Sequence, residues 1–362
     1  MPTLQNLRAL GQSVWLDFID RDLIASGALD QLIDQGLLGI TSNPRIFEQA
    51  ISQGRAYDAQ LHELAAQGVQ ALEAYEAIAV ADIRAAADRL RPVFDSTGGV
   101  DGFVSLEVDP RLAHETGKTV EEVLRLRARV DLPNVMYKIP ATSHGVVATE
   151  RLIGLGVNIN ITLMFSLSHY NAVAQAYLNG LEAYRAKGGD VSQVASVASF
   201  FISRVDYKLA PLLERAGSHH LNGKIGIANA KQVYKRFREI FSGPRWESLA
   251  ASGARVQRPL WASTSTKDPA LPDTLYVDSL IGPDTVNTMP LATLDAFLDH
   301  GHPERTIDQN LAEADDAIVR LVQHGFNLQA VGEELQSEGV VKFVQPFEAL
   351  LHAIDEHLHP IE

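Results

Sequence analysis

The chain has 362 residues, 46% of them hydrophobic and 21% charged, and its formal net charge is −14. This composition is typical of an ordinary globular protein, and an acidic chain without a cluster of Lys and Arg is not expected to bind nucleic acid. The absence of cysteine excludes disulfides, zinc thiolate sites and thiol nucleophiles, and it is typical of a cytoplasmic protein. Residues 1–11 lack a signal-peptide pattern, and no run of about 18 apolar residues predicts a membrane span.

Short apolar runs alternate with amphipathic helical patterns along the chain, and eight of the runs read as strands. In chain order these predicted strands are 14–19, 38–43, 102–108, 134–139, 157–164, 194–202, 224–228 and 259–263. Their hydrophobicity is nearly continuous, as in a parallel sheet covered on both faces. Eight such strands with interleaved helices predict a (β/α)8 TIM barrel. A doubly wound open sheet is the alternative, but no Gly-rich turn follows the first run.

Three further helices are predicted after the last strand, at 291–300, 304–324 and 326–357. In the last one, a single apolar face predicts docking, and it comprises Phe343, Phe347, Leu350, Ile354 and Leu358. No linker or repeat divides the chain. We therefore expect one barrel domain over residues 1–362, with 291–362 packing on the barrel or closing it.

Polar residues stand late in most of the predicted strands. They are Asp17, Asn43, Glu107, Lys138, Asn160, Thr162, Ser199 and Ser263. In a (β/α)8 barrel the carboxyl ends of the strands meet at one rim, where active sites lie. Polar groups at equivalent ends of successive strands therefore predict an active site at this rim.

Lys138 is the most informative of these residues because it ends an apolar run, Asn134 to Pro140, that needs no surface lysine. Burial disfavours the ammonium form and so activates a lysine for Schiff-base formation. A lysine that merely extends its amine from a strand edge to solvent is the alternative. The other strand-end residues favour the catalytic interpretation.

Several motifs occur in one order along the chain: VWLD at 14–17, TSNP at 41–44, VSLEVD at 104–109, YKIPAT at 137–142, NINITL at 158–163 and AS at 262–263. In these motifs the chain closely resembles transaldolases, which are class I Schiff-base aldolases of the pentose phosphate pathway. The resemblance covers nearly all of the predicted barrel. The length and the Trp15-Leu16 variant are most similar to the longer bacterial subfamily.

The resemblance implies a role for each catalytic candidate. Lys138 would form an imine with a ketose phosphate, and Asp17 would take the proton of the C4 hydroxyl as the C3–C4 bond breaks. Glu107, with a water held by Thr162, would act as general acid and base during imine formation. Asp17 could instead be a strand-end or helix-capping carboxylate, and Glu107 could form only a structural salt bridge to Lys138.

The same resemblance implies substrate-binding residues. Asn43 and Asn160 would bind hydroxyls of the bound triose, although each could instead satisfy backbone groups at a strand end. Ser199, Arg204 and Ser263 match segments of the family that contact substrate, and the planar guanidinium of Arg204 suits phosphate oxygens.

One position departs from the pattern of the family. Ser265 stands where shorter members have a second arginine after the Ala-Ser motif. We expect Lys267 to replace the missing cation because a serine cannot offset the charge of a phosphate. A solvated loop lysine is the alternative.

The predicted activity is that of a transaldolase, a transferase of aldehyde or ketone residues, which acts on sugar phosphates without a cofactor. One alternative is a fructose 6-phosphate aldolase, whose relatives are shorter and carry a different acid/base group at the position of Glu107. Another is a non-catalytic barrel that binds sugar phosphates. A metal site at His352, His357 and His359 is not expected because they lack ligand spacing. The preferred ketose and the oligomeric state stay open.

Overall fold

A computed structural model describes residues 1–359, apart from the side chain of residue 53. Eight parallel strands close into a barrel in chain order. They are β1 Gln12–Leu16, β2 Gly39–Thr41, β3 Phe103–Glu107, β4 Val135–Pro140, β5 Ile159–Met164, β6 Ser196–Phe201, β7 Arg258–Ala262 and β8 Thr285–Met289. The prediction of a (β/α)8 barrel with additional carboxyl-terminal helices is confirmed, and all strand carboxyl ends meet at one rim.

Helices connect the strands and cover the outside of the barrel. The α-helices of the described residues are α1 Leu4–Ala9, α2 Arg21–Ala25, α3 Ala28–Asp34, α4 Pro44–Gln53, α5 Asp58–Ala66, α6 Ala71–Ser96, α7 Thr116–Val130, α8 Ser143–Ile153, α9 Leu167–Ala186, α10 Ser203–Arg215, α11 Ile225–Ile240, α12 Pro244–Ala250, α13 Leu275–Asp278, α14 Leu291–His300, α15 Leu311–Gln323 and α16 Leu328–Leu358. Short 3-10 turns occur at Pro110–Leu112, Val191–Gln193 and His219–Leu221. None of the helices in this part of the chain combines the length and the apolar character that a membrane span requires.

Three helices begin three residues after the end of a strand, and in each a polar side chain caps the first turn. Asn43, Thr142 and Ser166 accept hydrogen bonds from the backbone N–H groups of Ile46 (3.2 Å), Gly145 (3.0 Å) and His169 (3.3 Å). Such caps satisfy N–H groups that have no partner within the helix. They keep the turns short, and so hold the strand ends of β2, β4 and β5 firmly at the rim.

Seven of the predicted strands overlap β1 to β7, but the prediction of a strand at 224–228 was wrong. All of this segment except Lys224 belongs to α11, which begins at Ile225. The buried residues of α11 continue with helical spacing, as in Ala230, Val233 and Phe237. The Asp206 carboxylate also caps this helix, because it accepts hydrogen bonds from the N–H groups of Ile225 and Gly226. A short apolar run alone does not distinguish such a helix start from a strand.

The eighth strand, β8, was missed because three of its five residues are polar. Thr285, Asn287 and Thr288 are nevertheless buried, and each pairs with a side chain of a neighbouring segment. Consequently Ser263, predicted to end the eighth strand, follows β7.

Helix α16 lies across the rim, over the ends of β4 and β5. All five residues of its predicted apolar face are buried, so its docking is confirmed. Gln336 donates hydrogen bonds to the carbonyl oxygens of Ala141 (2.8 Å) and Leu163 (3.1 Å). A Cβ atom at Gly339 would lie 3.0 Å from the Leu163 side chain, so a glycine permits this close approach. The helices predicted at 291–300, 304–324 and 326–357 correspond to α14, α15 and α16, and the predicted domain end at 362 lies outside the described residues.

Candidate active site

A cavity of about 1140 Å³ opens at the rim formed by the carboxyl ends of the strands. Eight of the ten predicted site residues line it: Asp17, Asn43, Lys138, Thr162, Ser199, Arg204, Ser263 and Lys267. Glu107 lies directly behind Lys138, and Asn160 lies below the cavity floor. The fold therefore brings together residues from seven of the eight strands or their following loops.

Lys138 is held in place by three neighbouring elements. Its Nζ atom donates a hydrogen bond to the carbonyl oxygen of Ser42 (2.9 Å) and lies 3.0 Å from Oε2 of Glu107. It also lies 5.4 Å from the centre of the Phe343 ring, which α16 places over it. The residue is only 5% exposed. Phe343 was not predicted as a site residue because only the long-range docking of α16 brings it here.

Glu107 ends β3 and lies beside Lys138 in the pairing of β3 with the neighbouring strand β4. Burial raises the pKa of its carboxyl to about 7, although the charge of Lys138 acts in the opposite direction. Its Oε1 atom and the Thr162 hydroxyl are both buried without a protein hydrogen-bond partner among residues 1–359. Buried polar atoms are costly when unsatisfied, so each of the two groups is expected to bind a water or a substrate atom.

Thr162 occupies an irregular part of β5. The pairing of β5 with β6 shifts between Ile161 and Met164, and Leu163 adopts a left-handed backbone conformation with φ of 62°. A branched residue rarely adopts this conformation, which persists only where the surroundings impose it. The hydrogen bond from Gln336 to the Leu163 carbonyl oxygen is one of the contacts that impose this conformation.

Asp17 follows β1 and is half-buried in the cavity wall. Its Oδ1 atom accepts a hydrogen bond from the Thr41 hydroxyl (2.8 Å), and the Thr41 oxygen lies 2.7 Å from that of Thr288 on β8. Neither threonine was predicted as a site residue. The TSNP motif at 41–44 was a signal for Thr41, whereas Thr288 lies in the strand that was missed.

The two predicted asparagines differ in position. Asn43 lines the cavity, and its Oδ1 atom caps α4. Asn160 is fully buried: it accepts a hydrogen bond from the Ser199 hydroxyl (2.6 Å) and donates one to Ser105 (3.0 Å). Asn160 therefore supports Ser199 from below, and Ser199 itself lines the cavity.

Cations line another part of the cavity, on the segments that follow β6 and β7. Arg204, at the start of α10, packs 5.0 Å from the centre of the Phe201 ring, and burial lowers the pKa of its guanidinium. Lys267 lies exposed in the loop after β7, and its pKa is lowered by desolvation and then by Arg204, Lys342 and Arg45. Within the described residues, neither Arg204 nor Lys267 has an ion-paired partner. Unneutralised cations facing one cavity favour an anionic ligand.

Two serines follow β7 in the same segment as Lys267. Ser263 has a left-handed backbone (φ of 55°), and its hydroxyl lies 3.0 Å from that of Ser203. Ser265, which replaces the expected arginine, lies 2.8 Å from the Thr293 hydroxyl. Both line the cavity, but neither supplies positive charge.

Comparison with known proteins gives a consistent result. The family model described as "Transaldolase/Fructose-6-phosphate aldolase" matches residues 14–354. The chain is 51% identical to a protein of Parafrankia sp. (strain EAN1pec) that is named transaldolase, over 98% of both chains. It is 49% identical to a transaldolase of Thermobifida fusca over 98% of both chains, and 48% identical to one of Frankia alni over 98% of this chain and 97% of the relative.

Proposed function

The chain belongs to the transaldolase/fructose-6-phosphate aldolase family, and from this premise we propose the reaction that its cavity supports. The protein is a transaldolase of the pentose phosphate pathway. It moves a dihydroxyacetone unit from sedoheptulose 7-phosphate or fructose 6-phosphate to glyceraldehyde 3-phosphate or erythrose 4-phosphate, through an imine on Lys138. The absence of cysteine supports a cytoplasmic location.

The observation that carries this proposal is the buried pair of Lys138 and Glu107, whose Nζ and Oε2 atoms lie 3.0 Å apart. The neutral amine attacks the ketone carbon, and the carbinolamine must then lose water to become an iminium. Because the pKa of Glu107 is raised to about 7, this carboxyl still carries a proton near neutral pH that it can give to the departing hydroxyl. A water between Glu107 and Thr162 would relay that proton.

The iminium then accepts the electrons of the C3–C4 bond. Asp17 takes the proton of the C4 hydroxyl, C4 becomes the aldehyde carbon of the released aldose phosphate, and a three-carbon enamine remains on Lys138. Its attack on the acceptor aldehyde reverses these steps, with Asp17 returning the proton to the new hydroxyl. Hydrolysis of the imine completes the cycle.

Binding is supported by the rest of the cavity. The phosphate would bind Arg204 and Lys267, whose charges have no ion-pair partners within residues 1–359, and Ser263, which lines the same cavity. Asn43 and Ser199 would bind hydroxyls of the triose. Asn160 acts beneath them by holding the Ser199 hydroxyl at 2.6 Å.

The decisive experiment measures acceptor dependence. Purified protein with fructose 6-phosphate should form sedoheptulose 7-phosphate when erythrose 4-phosphate is present, and should release little dihydroxyacetone when it is absent. Equal release without acceptor would instead make the protein a fructose 6-phosphate aldolase. Borohydride reduction with fructose 6-phosphate should leave a three-carbon adduct on Lys138, and an unmodified chain would indicate a barrel that only binds sugar phosphates.

A further inference from the structure

Three side chains form a hydrogen-bonded line across the neighbouring strands β8, β1 and β2. The Thr288 and Thr41 oxygens lie 2.7 Å apart, and the Thr41 hydroxyl donates to Oδ1 of Asp17 over 2.8 Å. Both threonines are nearly inaccessible, at 3% and 2% exposure, yet both line the cavity together with Asp17.

Which group donates in each of these hydrogen bonds follows from the number of hydrogens that each side chain can donate. An ionised carboxylate only accepts hydrogen bonds, and a hydroxyl has a single hydrogen to donate. Thr41 gives its hydrogen to Asp17, so the Thr41 oxygen must accept the hydrogen of Thr288. Among the described residues Thr288 has no other side-chain partner, and Oδ2 of Asp17 has none either.

We propose that Thr288 is a positioning residue for Asp17. By donating to Thr41, it keeps the Thr41 hydrogen directed at Oδ1, which fixes the rotation of the carboxylate and reserves Oδ2 for the C4 hydroxyl of the ketose. Successive hydrogen bonds also polarise one another, so the first bond strengthens the second. This inference rests on the proposed function and adds to it a residue that acts in the cleavage and formation of the carbon–carbon bond but not in imine formation.

The position of Thr288 separates this role from imine formation. Thr288 approaches Asp17 through Thr41, whereas Lys138 and Glu107 lie on β4 and β3. Loss of the Thr288 hydroxyl should therefore slow cleavage of the C3–C4 bond and leave imine formation unchanged.

The test compares T288V, T288S and a control, T285V. Thr285 lies on the same strand and is fully buried, but its hydroxyl bonds to Gln12 and to the Gly282 carbonyl, away from Asp17. For T288V we expect kcat to fall about tenfold with KM nearly unchanged, because an interaction used in cleavage is lost. T288S should restore most of the rate, and T285V should keep the kcat of the unchanged protein.

Borohydride trapping with fructose 6-phosphate alone, read by intact mass, gives a second measurement. The unchanged protein should carry the three-carbon adduct, whereas T288V should accumulate the six-carbon phosphate adduct that precedes cleavage. In a T41V background, T288V should add little, since residues that act through one another are not additive. If T288V fails to fold, T288A removes the same donor from a smaller side chain.

A rise in KM at unchanged kcat would overturn the inference and make Thr288 a substrate ligand. Unchanged kcat with only the three-carbon adduct would overturn it as well. Absence of any adduct on the unchanged protein would instead contradict the proposed function, so the two failures are distinguishable.

Discussion

The two ends of the cavity differ in whether their charged side chains are buried and paired or more exposed and unpaired. At the end that we propose for the imine, Lys138 and Glu107 are buried and 3.0 Å apart, and the Phe343 ring lies over the amine. At the end that we propose for the phosphate, Arg204 and Lys267 have no ion-pair partners within the described residues, and Lys267 is exposed. The difference indicates that the reactive end limits the access of bulk solvent, so that protons pass between fixed groups and any water that they bind, whereas the binding end keeps its cations available to an incoming anion. Substitutions at the imine end should change kcat, and those at the phosphate end should change KM.

The largest effect is expected for K138M. Without the amine no imine forms, so kcat should fall by about ten-thousandfold or more, and borohydride should leave the protein unmodified. The matched control is K231M, because Lys231 is also buried but its amine bonds to the carbonyl oxygens of Thr306 and Gln309 outside the cavity. Measurable adduct formation by K138M would remove this lysine from the mechanism.

A smaller loss, about a hundredfold or more in kcat, is expected for E107Q. Because burial raises the pKa of Glu107 to about 7, raising the pH through about 7 removes the proton that dehydration needs. The rate of imine formation, followed in single turnovers, should therefore fall from about pH 6 to about pH 8 in the unchanged protein. In E107Q the rate should be low and show no such fall, and an E107Q profile that keeps the decline would assign it to another group.

At the phosphate end, R204M should raise KM for fructose 6-phosphate by about thirtyfold and K267M by about fivefold, with kcat little changed. The larger value for Arg204 follows from its more buried position and its planar pair of donors. K208M is the control, because Lys208 lines the same cavity but is paired with Glu334 and Glu338. An unchanged KM in K267M would leave Lys267 as a solvated loop lysine.

The smallest effect on turnover is expected for Q336L, which reaches the imine end only indirectly. Loss of its bonds to the Ala141 and Leu163 carbonyls should lower the free energy of unfolding by about 1–3 kcal/mol. It should lower kcat about threefold, because the strained conformation of Leu163 that presents Thr162 loses a restraint. Chemical denaturation and steady-state kinetics measure both, with the exposed Gln329 of the same helix changed to leucine as control.

Local pattern predicted most of the barrel and its chemistry. The ends of the first five strands were found because continuous apolar runs mark buried parallel strands, and an ionisable residue closing such a run, such as Glu107 or Lys138, stands out against it. The same criterion failed where the pattern was absent. β8 is rich in threonine and asparagine, so it has no continuous apolar run. Residues 224–228 have an apolar run like that of a strand, but from Ile225 onward they form the start of α11.

The sequence by itself determined the family, the barrel, and the set of polar residues that gather at its rim. Motifs and the spacing of apolar residues are properties of short segments of chain, so they can be read without the tertiary structure. Only the tertiary structure decided that Glu107 lies beside Lys138, that Asn160 lies beneath Ser199, that Phe343 covers the amine, and that Thr288 reaches Asp17 through Thr41. These contacts join residues from about 20 to about 250 positions apart, and the register of the barrel and the packing of α16 set them. No local pattern carries that information.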